Sequence, residues 1–243
     1  MRFKDKVIIV TGAGQGIGEG YARALAAEGA RVVVAELNEE QGQRVAKEID
    51  DALFVRTDVA DPASAEVLID TVMGEFGRID HLVNNAAIFH GMRREGIVTV
   101  DYDYLDRFLK VNLLGALHVT RAAVPHLREG AAVVNQSSTA AWQATGFYGL
   151  AKAGINHLTA SLAAELGPRG IRVNAIAPGP TDTEAARSII PEEYRAAMVQ
   201  SFALKRMGTA DDQAGALKFL LSDEAAWVTG QVIAVDGGSV VRL

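Results

Sequence analysis

The sequence contains no cysteine. That excludes disulfides, a thiolate nucleophile and any cysteine-ligated metal, and it fits a reducing compartment. No run of 18 or more apolar residues occurs, so no transmembrane helix is expected. There is no extended basic run either, and a net charge of −6 with a pI near 5.4 argues against a nucleic-acid partner. The five histidines, at positions 81, 90, 118, 126 and 157, show no compact metal-ligand spacing. Met1–Lys6 lacks the long apolar stretch and small-residue cleavage site of a signal peptide. Val240-Val241-Arg242-Leu243 matches no common address signal. The expectation is a cytoplasmic protein with a small-molecule partner and neither membrane nor nucleic-acid partner.

What is present is an ordinary globular balance, 49% apolar and 22% charged over 243 residues, enough for one large domain. Apolar β-rich runs alternate with helical patterns throughout. Strands are expected at Lys6–Thr11, Arg31–Glu36, Ala52–Thr57, Ile79–Asn84, Ala131–Ser137, Ile171–Ala177 and Gln231–Val235. Helices are expected at Gly16–Glu28, Asn38–Ile49, Pro62–Phe76, Tyr102–Leu127 (weakened by Gly115), Phe147–Leu166, Thr183–Gln200 and Ala210–Ser222, with an irregular stretch from about Phe89 to Asp101. Strands apolar on both faces, separated by helices, imply a parallel sheet covered on both sides. The fold class is therefore α/β, a doubly wound Rossmann-type domain of about seven strands, with ligands at the carboxyl ends of the strands. The absence of a linker or repeat makes residues 1–243 a single domain, with a helical flap expected at about 181–205.

Between the first strand and first helix lies Thr11-Gly12-Ala13-Gly14-Gln15-Gly16-Ile17-Gly18. Glycine lets the backbone approach a pyrophosphate, and the helix N-terminus offers free N–H groups. Alone, the cluster is weak evidence, with a merely structural turn as the lesser alternative; the order strand, turn, helix favours coenzyme binding by Gly12, Gln15, Gly16, Ile17 and Gly18. Glu36 ends the second strand 18 residues after Gly18. A carboxylate there accepts hydrogen bonds from adenosine ribose hydroxyls and repels a 2′-phosphate. Neither Gln15 nor Leu37 supplies a cation, so NAD is favoured over NADP, although Arg31 and Arg44 lie within conceivable reach. Asp58 and Val59, ending the third strand, can bond and pack against adenine, or form only a turn and cap.

Tyr148 and Lys152 are four apart, on one face of a helix. A neighbouring ammonium is expected to bring a phenol down from ~10 toward a useful acid–base range. Ser137 and Ser138 finish the fifth strand, where a hydroxyl can orient a substrate oxygen.

Together with Asn84-Asn85-Ala86-Ala87, Asn112 in Val111-Asn112-Leu113, Asn174-Ala175-Ile176-Ala177-Pro178-Gly179 and Val235-Asp236-Gly237-Gly238, these segments resemble the short-chain dehydrogenase/reductase family over nearly the whole chain. The resemblance implies hydride transfer between a nicotinamide and an alcohol or carbonyl carbon. It implies Tyr148 as general acid and base, Lys152 as its pKa-lowering partner and ribose ligand, Ser138 as the substrate-oxygen ligand with Ser137 as fallback, and Asn112 holding a water next to Lys152. Asn85 and Ala86 would line the coenzyme groove, and Pro178, Gly179, Thr181 and Thr183 would bracket the carboxamide. A homotetramer, or a dimer, is implied too, in keeping with the largely apolar circumference of the Gly149–Leu166 helix.

Two departures stand out. Ala87 replaces the usual glycine, and Ser138 to Tyr148 is only ten steps, a few fewer than is common. Trp142, Phe147, Phe89, His90 and Met92, with Leu204 and Met207, are expected around an apolar substrate pocket for a ring or medium-length secondary alcohol. Arg93 and Arg94 are either contacts for an anionic substrate or solvated surface. A dinucleotide sensor without turnover should have lost one of the four catalytic residues, and all four stand. A nicotinamide-dependent epimerase or dehydratase would need a longer C-terminal substrate domain.

Overall fold

A computed structural model describes residues 1–189 and 191–241. Ile190, in the expected flap, and Arg242 and Leu243, in the segment read for an address signal, lie outside the described residues. Seven strands form one parallel sheet: β1 (Val7–Thr11), β2 (Arg31–Glu36), β3 (Leu53–Arg56), β4 (Ile79–Asn84), β5 (Leu127–Gln136), β6 (Arg172–Pro178) and β7 (Val232–Val235). Their order is β3-β2-β1-β4-β5-β6-β7. The direction of winding reverses between β1 and β4, which opens a crevice at the carboxyl edge.

The helices are α1 (Gly16–Ala26), α2 (Glu39–Lys47), α3 (Pro62–Phe76), α4 (Tyr102–Leu109), α5 (Gly115–Ala123), α6 (Gly146–Leu166), α7 (Glu184–Ile189), α8 (Glu192–Ser201) and α9 (Ala210–Leu221). Two apolar clusters sandwich the sheet. Ile9, Val33, Leu82 and Val133 pack with α3, α5 and α6 on one face; Ile8, Val34, Val134 and Ile176 pack with α1 and α9 on the other. Alternate residues of each strand feed opposite cores, which is why the strands read as unbroken apolar runs. Among the described residues, no helix is long and apolar enough to cross a membrane.

Two expected elements are corrected. The Tyr102–Leu127 helix is interrupted by one π-helical turn at Lys110–Leu114 and ends at Ala123, and β5 begins at Leu127 rather than Ala131. Gly115 is there because α5 crosses the β3 end closely: a Cβ on it would lie 2.7 Å from Val59 Cγ2. The Thr183–Gln200 flap is two helices, α7 and α8, with Pro191 as the N-cap of the second. Proline has no backbone N–H to give to a continuing helix.

Candidate active site

The carboxyl edge carries a cleft of about 1030 Å³. The turn after β1, the β2 and β3 ends, the β4–α4 segment, the β5 end, the first turn of α6 and the flap all line it. Asn85 Nδ2 donates to the carbonyls of Thr11 (2.9 Å) and Gly12 (3.0 Å), and Thr11 Oγ1 accepts the N–H groups of Asn85 (3.0 Å) and Ala86 (3.1 Å). These bonds weld the turn to the β4 end. Gly12 has a φ of +63°, and a Cβ on it would meet Ala86 Cα at 2.7 Å; a Cβ on Gly18 would meet the Gly12 carbonyl oxygen at 2.1 Å. The backbone is thus exposed at the head of α1 with no side chain in the way, which fits a bound pyrophosphate. The flap reaches the turn, since the space above Gly16 ends on Thr183.

Glu36 bends back under the turn. Its Oε2 accepts the Gly14 N–H (3.0 Å) and its Oε1 those of Leu37 (2.8 Å) and Asn38 (3.0 Å). Arg44 lines the cleft but is held by the Glu19 carboxylate (2.7 Å) and donates to the Gly14 carbonyl (3.0 Å). Arg31, at the opposite end of β2 from Glu36, lies over the Phe76 ring. Asp58 Oδ1 accepts the Ala60 N–H, as in a turn, while its Oδ2 meets Arg107 at 3.0 Å. Val59 lines the cleft beside it.

Ser138 and Ser137 are separated by strand alternation. Ser137 Oγ turns into the protein, toward Asn156 Oδ1 (2.5 Å). Ser138 caps the 3₁₀ turn at Thr139–Trp142, accepting the Ala140 N–H (3.1 Å), and its hydroxyl bonds the Tyr148 phenol. In the short connector Thr145 Oγ1 donates to the Ala140 carbonyl (3.0 Å), folding it onto the start of α6. Lys152 is buried, with Nζ donating to the Gln136 carbonyl (2.8 Å) and lying 5.9 Å from the Tyr148 ring centre.

Electrostatics depart from the spacing argument. Burial pushes the Tyr148 phenol up, with only the Ser138 hydrogen bond pulling the other way, and burial lowers Lys152 to about 8. The expected lowering of the phenol by the ammonium is not seen: desolvation penalises the charged form of both groups.

Asn112 sits in the π-turn. Its side chain pairs with the backbone of Ile88, accepting the N–H at 2.6 Å and donating to the carbonyl at 3.1 Å. Asn84 ties strands together, donating to Asn135 Oδ1 and Thr120 Oγ1, both at 2.9 Å. Thr181 is buried and donates to the Gly179 carbonyl, while Thr183 accepts the Ala186 N–H at the head of α7. Pro178 and Gly179 line the cleft. Ala87 faces it without a left-handed backbone, so alanine costs no strain there.

The expected aromatic wall is only partly present. Phe89 and His90 line the cleft, and Phe89 lies 5.6 Å from the Tyr148 ring. Phe147 is instead buried edge-on against Phe108 (4.8 Å), with Met92 on the same cluster, because the β4–α4 segment and α4 fold over the first turn of α6. Trp142, Leu204 and Met207 are not among the lining residues; Met198 and Phe202 take their place from the flap. Arg93 lies over the Tyr104 ring. Arg107, Met198 and Phe202 carry no motif, so nothing in the sequence marked them.

Residues 12–240 match the family model of enoyl-(acyl carrier protein) reductase. The chain is 54% identical over 246 residues to an uncharacterized oxidoreductase of Mycobacterium tuberculosis, covering 99% of each. It is similar to the structure of a short-chain dehydrogenase of Burkholderia cenocepacia in complex with NADP (TM-score 0.89, 34% identity, 98% of this chain and 99% of that one). It is also similar to a 7α-hydroxysteroid dehydrogenase complexed with NADH and 7-oxo glycochenodeoxycholic acid (TM-score 0.92, 32% identity, 100% and 97%). The chain belongs to the short-chain dehydrogenase/reductase family and is an oxidoreductase.

Proposed function

We propose that the chain is an NAD(H)-dependent oxidoreductase interconverting a secondary alcohol and a ketone on a small or medium, apolar or cyclic substrate. The observation that carries this reading is the convergence of Ser138, Tyr148 and Lys152 on one cleft with the glycine turn. NAD is favoured by Glu36, a carboxylate anchored by three backbone N–H groups at the ribose end, and by Arg44, already engaged by Glu19. Solved neighbours hold NADP in one case and NADH in another.

The dinucleotide would lie with its pyrophosphate on Gly12, Gln15, Gly16, Ile17 and Gly18, its adenosine between Glu36 and Asp58–Val59, and its nicotinamide half among Asn85, Ala86, Pro178, Gly179, Thr181 and Thr183. When bound, it supplies the hydride acceptor, and in its oxidised form a positive charge that favours a nearby phenolate. In oxidation, the substrate hydroxyl gives its proton to the Tyr148 oxygen as the carbinol carbon loses hydride; in reduction, Tyr148 returns the proton. Ser138 holds the substrate oxygen. Lys152 bonds the ribose and passes the proton onward. Asn112, whose side chain is committed to Ile88, would hold a water on that path. Phe89, Met198 and Phe202 favour an apolar substrate.

The whole chain acts as one domain with its flap over the cleft, in the cytoplasm, as a tetramer or dimer. Self-association is supported by the outer face of α6, where Leu150 is half exposed beside small residues. A screen of cyclic alcohols, diols, hydroxyacids, steroids and their ketones with NAD(H) and NADP(H), followed by NAD(P)H absorbance, tests the reading. Turnover confined to anionic acyl substrates with NADPH would reject it.

A further inference from the structure

Strand alternation at the end of β5 sends two neighbouring amides to opposite faces of the sheet. Asn135 turns toward α6, where its Nδ2 donates to Thr159 Oγ1 (3.0 Å). Gln136 turns toward α1, where its Oε1 accepts the hydroxyl of Tyr21 at 2.9 Å. Tyr21 is wholly buried in the cluster on that face, among Leu25, Val134 and Ile176. Burial drives its phenol well above the ordinary range, so it remains a donor at any working pH.

A buried tyrosine hydroxyl needs a partner, and here the partner is a residue of the cleft floor. The bond has a directional consequence. With Oε1 taken by Tyr21, the Gln136 amide is fixed with its NH₂ group on the other side. That group has no hydrogen-bond partner among the described residues and is not sealed from solvent. The Gln136 backbone carbonyl meanwhile receives Lys152 Nζ from the α6 side. One residue therefore joins the lysine on one face of the sheet to the middle of the phosphate-facing helix on the other.

Resting on the dinucleotide reading above, we propose that Gln136 is a coenzyme-contact residue whose side-chain NH₂ donates to an oxygen of the nicotinamide half, with Tyr21 as the positioning residue that aims it. The donor lies on the α1 side of the β5 end, next to Ser138 and across the sheet edge from Lys152. The adenosine end, at Glu36 after β2 and Asp58 after β3, is three to four strands away.

The test compares wild type, Gln136→Leu, Tyr21→Phe and the double variant by thermal melting and by titration with NADH, reduced nicotinamide mononucleotide and 5′-AMP. Gln136→Leu alone strands the Tyr21 hydroxyl, whereas the double variant removes both partners and leaves no orphan. Both variants carrying Gln136→Leu are expected to bind NADH and the mononucleotide about fivefold to tenfold more weakly, with 5′-AMP unchanged. Tyr21→Phe should weaken NADH by about threefold with Gln136 present and have no further effect on the Gln136→Leu background, a coupling that a merely structural tyrosine would not show. An NADH affinity within twofold of wild type in the folded double variant overturns the proposal. So does an equal loss for 5′-AMP. Wild type that binds neither NADH nor 5′-AMP would overturn the dinucleotide reading as well, whereas normal wild-type binding with unaffected variants overturns this one alone.

Discussion

Adding a single methyl group at Gly18 should substantially weaken coenzyme binding while leaving the fold. The new Cβ would stand 2.1 Å from the Gly12 carbonyl oxygen and 2.5 Å from Asn85 Nδ2, against roughly 3.3 Å for the closest ordinary carbon–oxygen contact. More than an ångström must be found. The Gly12 carbonyl cannot simply retreat, since Asn85 holds it and Ala86 lies directly against Gly12. Relief therefore means withdrawing the Asn85 amide and giving up its bonds to Thr11 and Gly12. At about 1 kcal/mol each, two such bonds amount to ~2 kcal/mol, roughly thirtyfold in dissociation constant if the cost falls on the bound geometry. Isothermal titration of Gly18→Ala with NADH reads that loss directly. Gly74→Ala is the control: it lies within α3 with open space around its Cβ, so it should stabilise the helix by up to ~1 kcal/mol and leave binding untouched. A folded Gly18→Ala protein binding NADH within about threefold of wild type would refute the argument that backbone proximity shapes the cradle.

Tyr148→Phe should reduce turnover by at least ~10²-fold while changing NADH affinity little; retained turnover in the absorbance assay would remove the phenol from the proton path. Glu36→Ala should weaken NAD and improve NADP relative to it, because the charge opposing a 2′-phosphate is gone; an unchanged ratio of kcat/KM values would reject the ribose-clamp role. His81 is buried in β4, accepting the Ala132 N–H (3.1 Å), and burial lowers it to about 4. The unfolded chain, titrating near ~6.5, then takes up the proton first. Its contribution is whole above that value and is lost as pH falls from about 6.5 to 4, by ~3 kcal/mol in total. Urea denaturation at pH 7, 5.5 and 4 should trace this decline, and an equal decline in His81→Asn would assign it elsewhere.

Local chemistry made most of the fold legible. Runs such as Val7–Val10 and Ala131–Val134 are apolar on both faces, a pattern that belongs to buried parallel strands, and Asp61-Pro62 and Gly29 punctuate helices by mechanisms within a few residues. Where the reading missed, distant contacts had decided. Leu127 extends β5 because Ile79 pairs with it across the sheet, and the interruption at Lys110–Leu114 accompanies the pairing of Asn112 with Ile88. Neither pairing has a local signature.

The same division runs through the site. Tyr148 and Lys152 were visible as a pair because helix periodicity joins positions four apart, and the glycine cluster because only a side-chain-free turn admits such close backbone approach. Which serine faces the cleft, where Phe147 goes, and that Arg107 meets Asp58 depended on side-chain direction after packing. The charge states did too. Four residues of spacing place an amine near a phenol in any solvent, but desolvation by the surrounding elements determines their pKa values, and that burial exists only once the chain is folded.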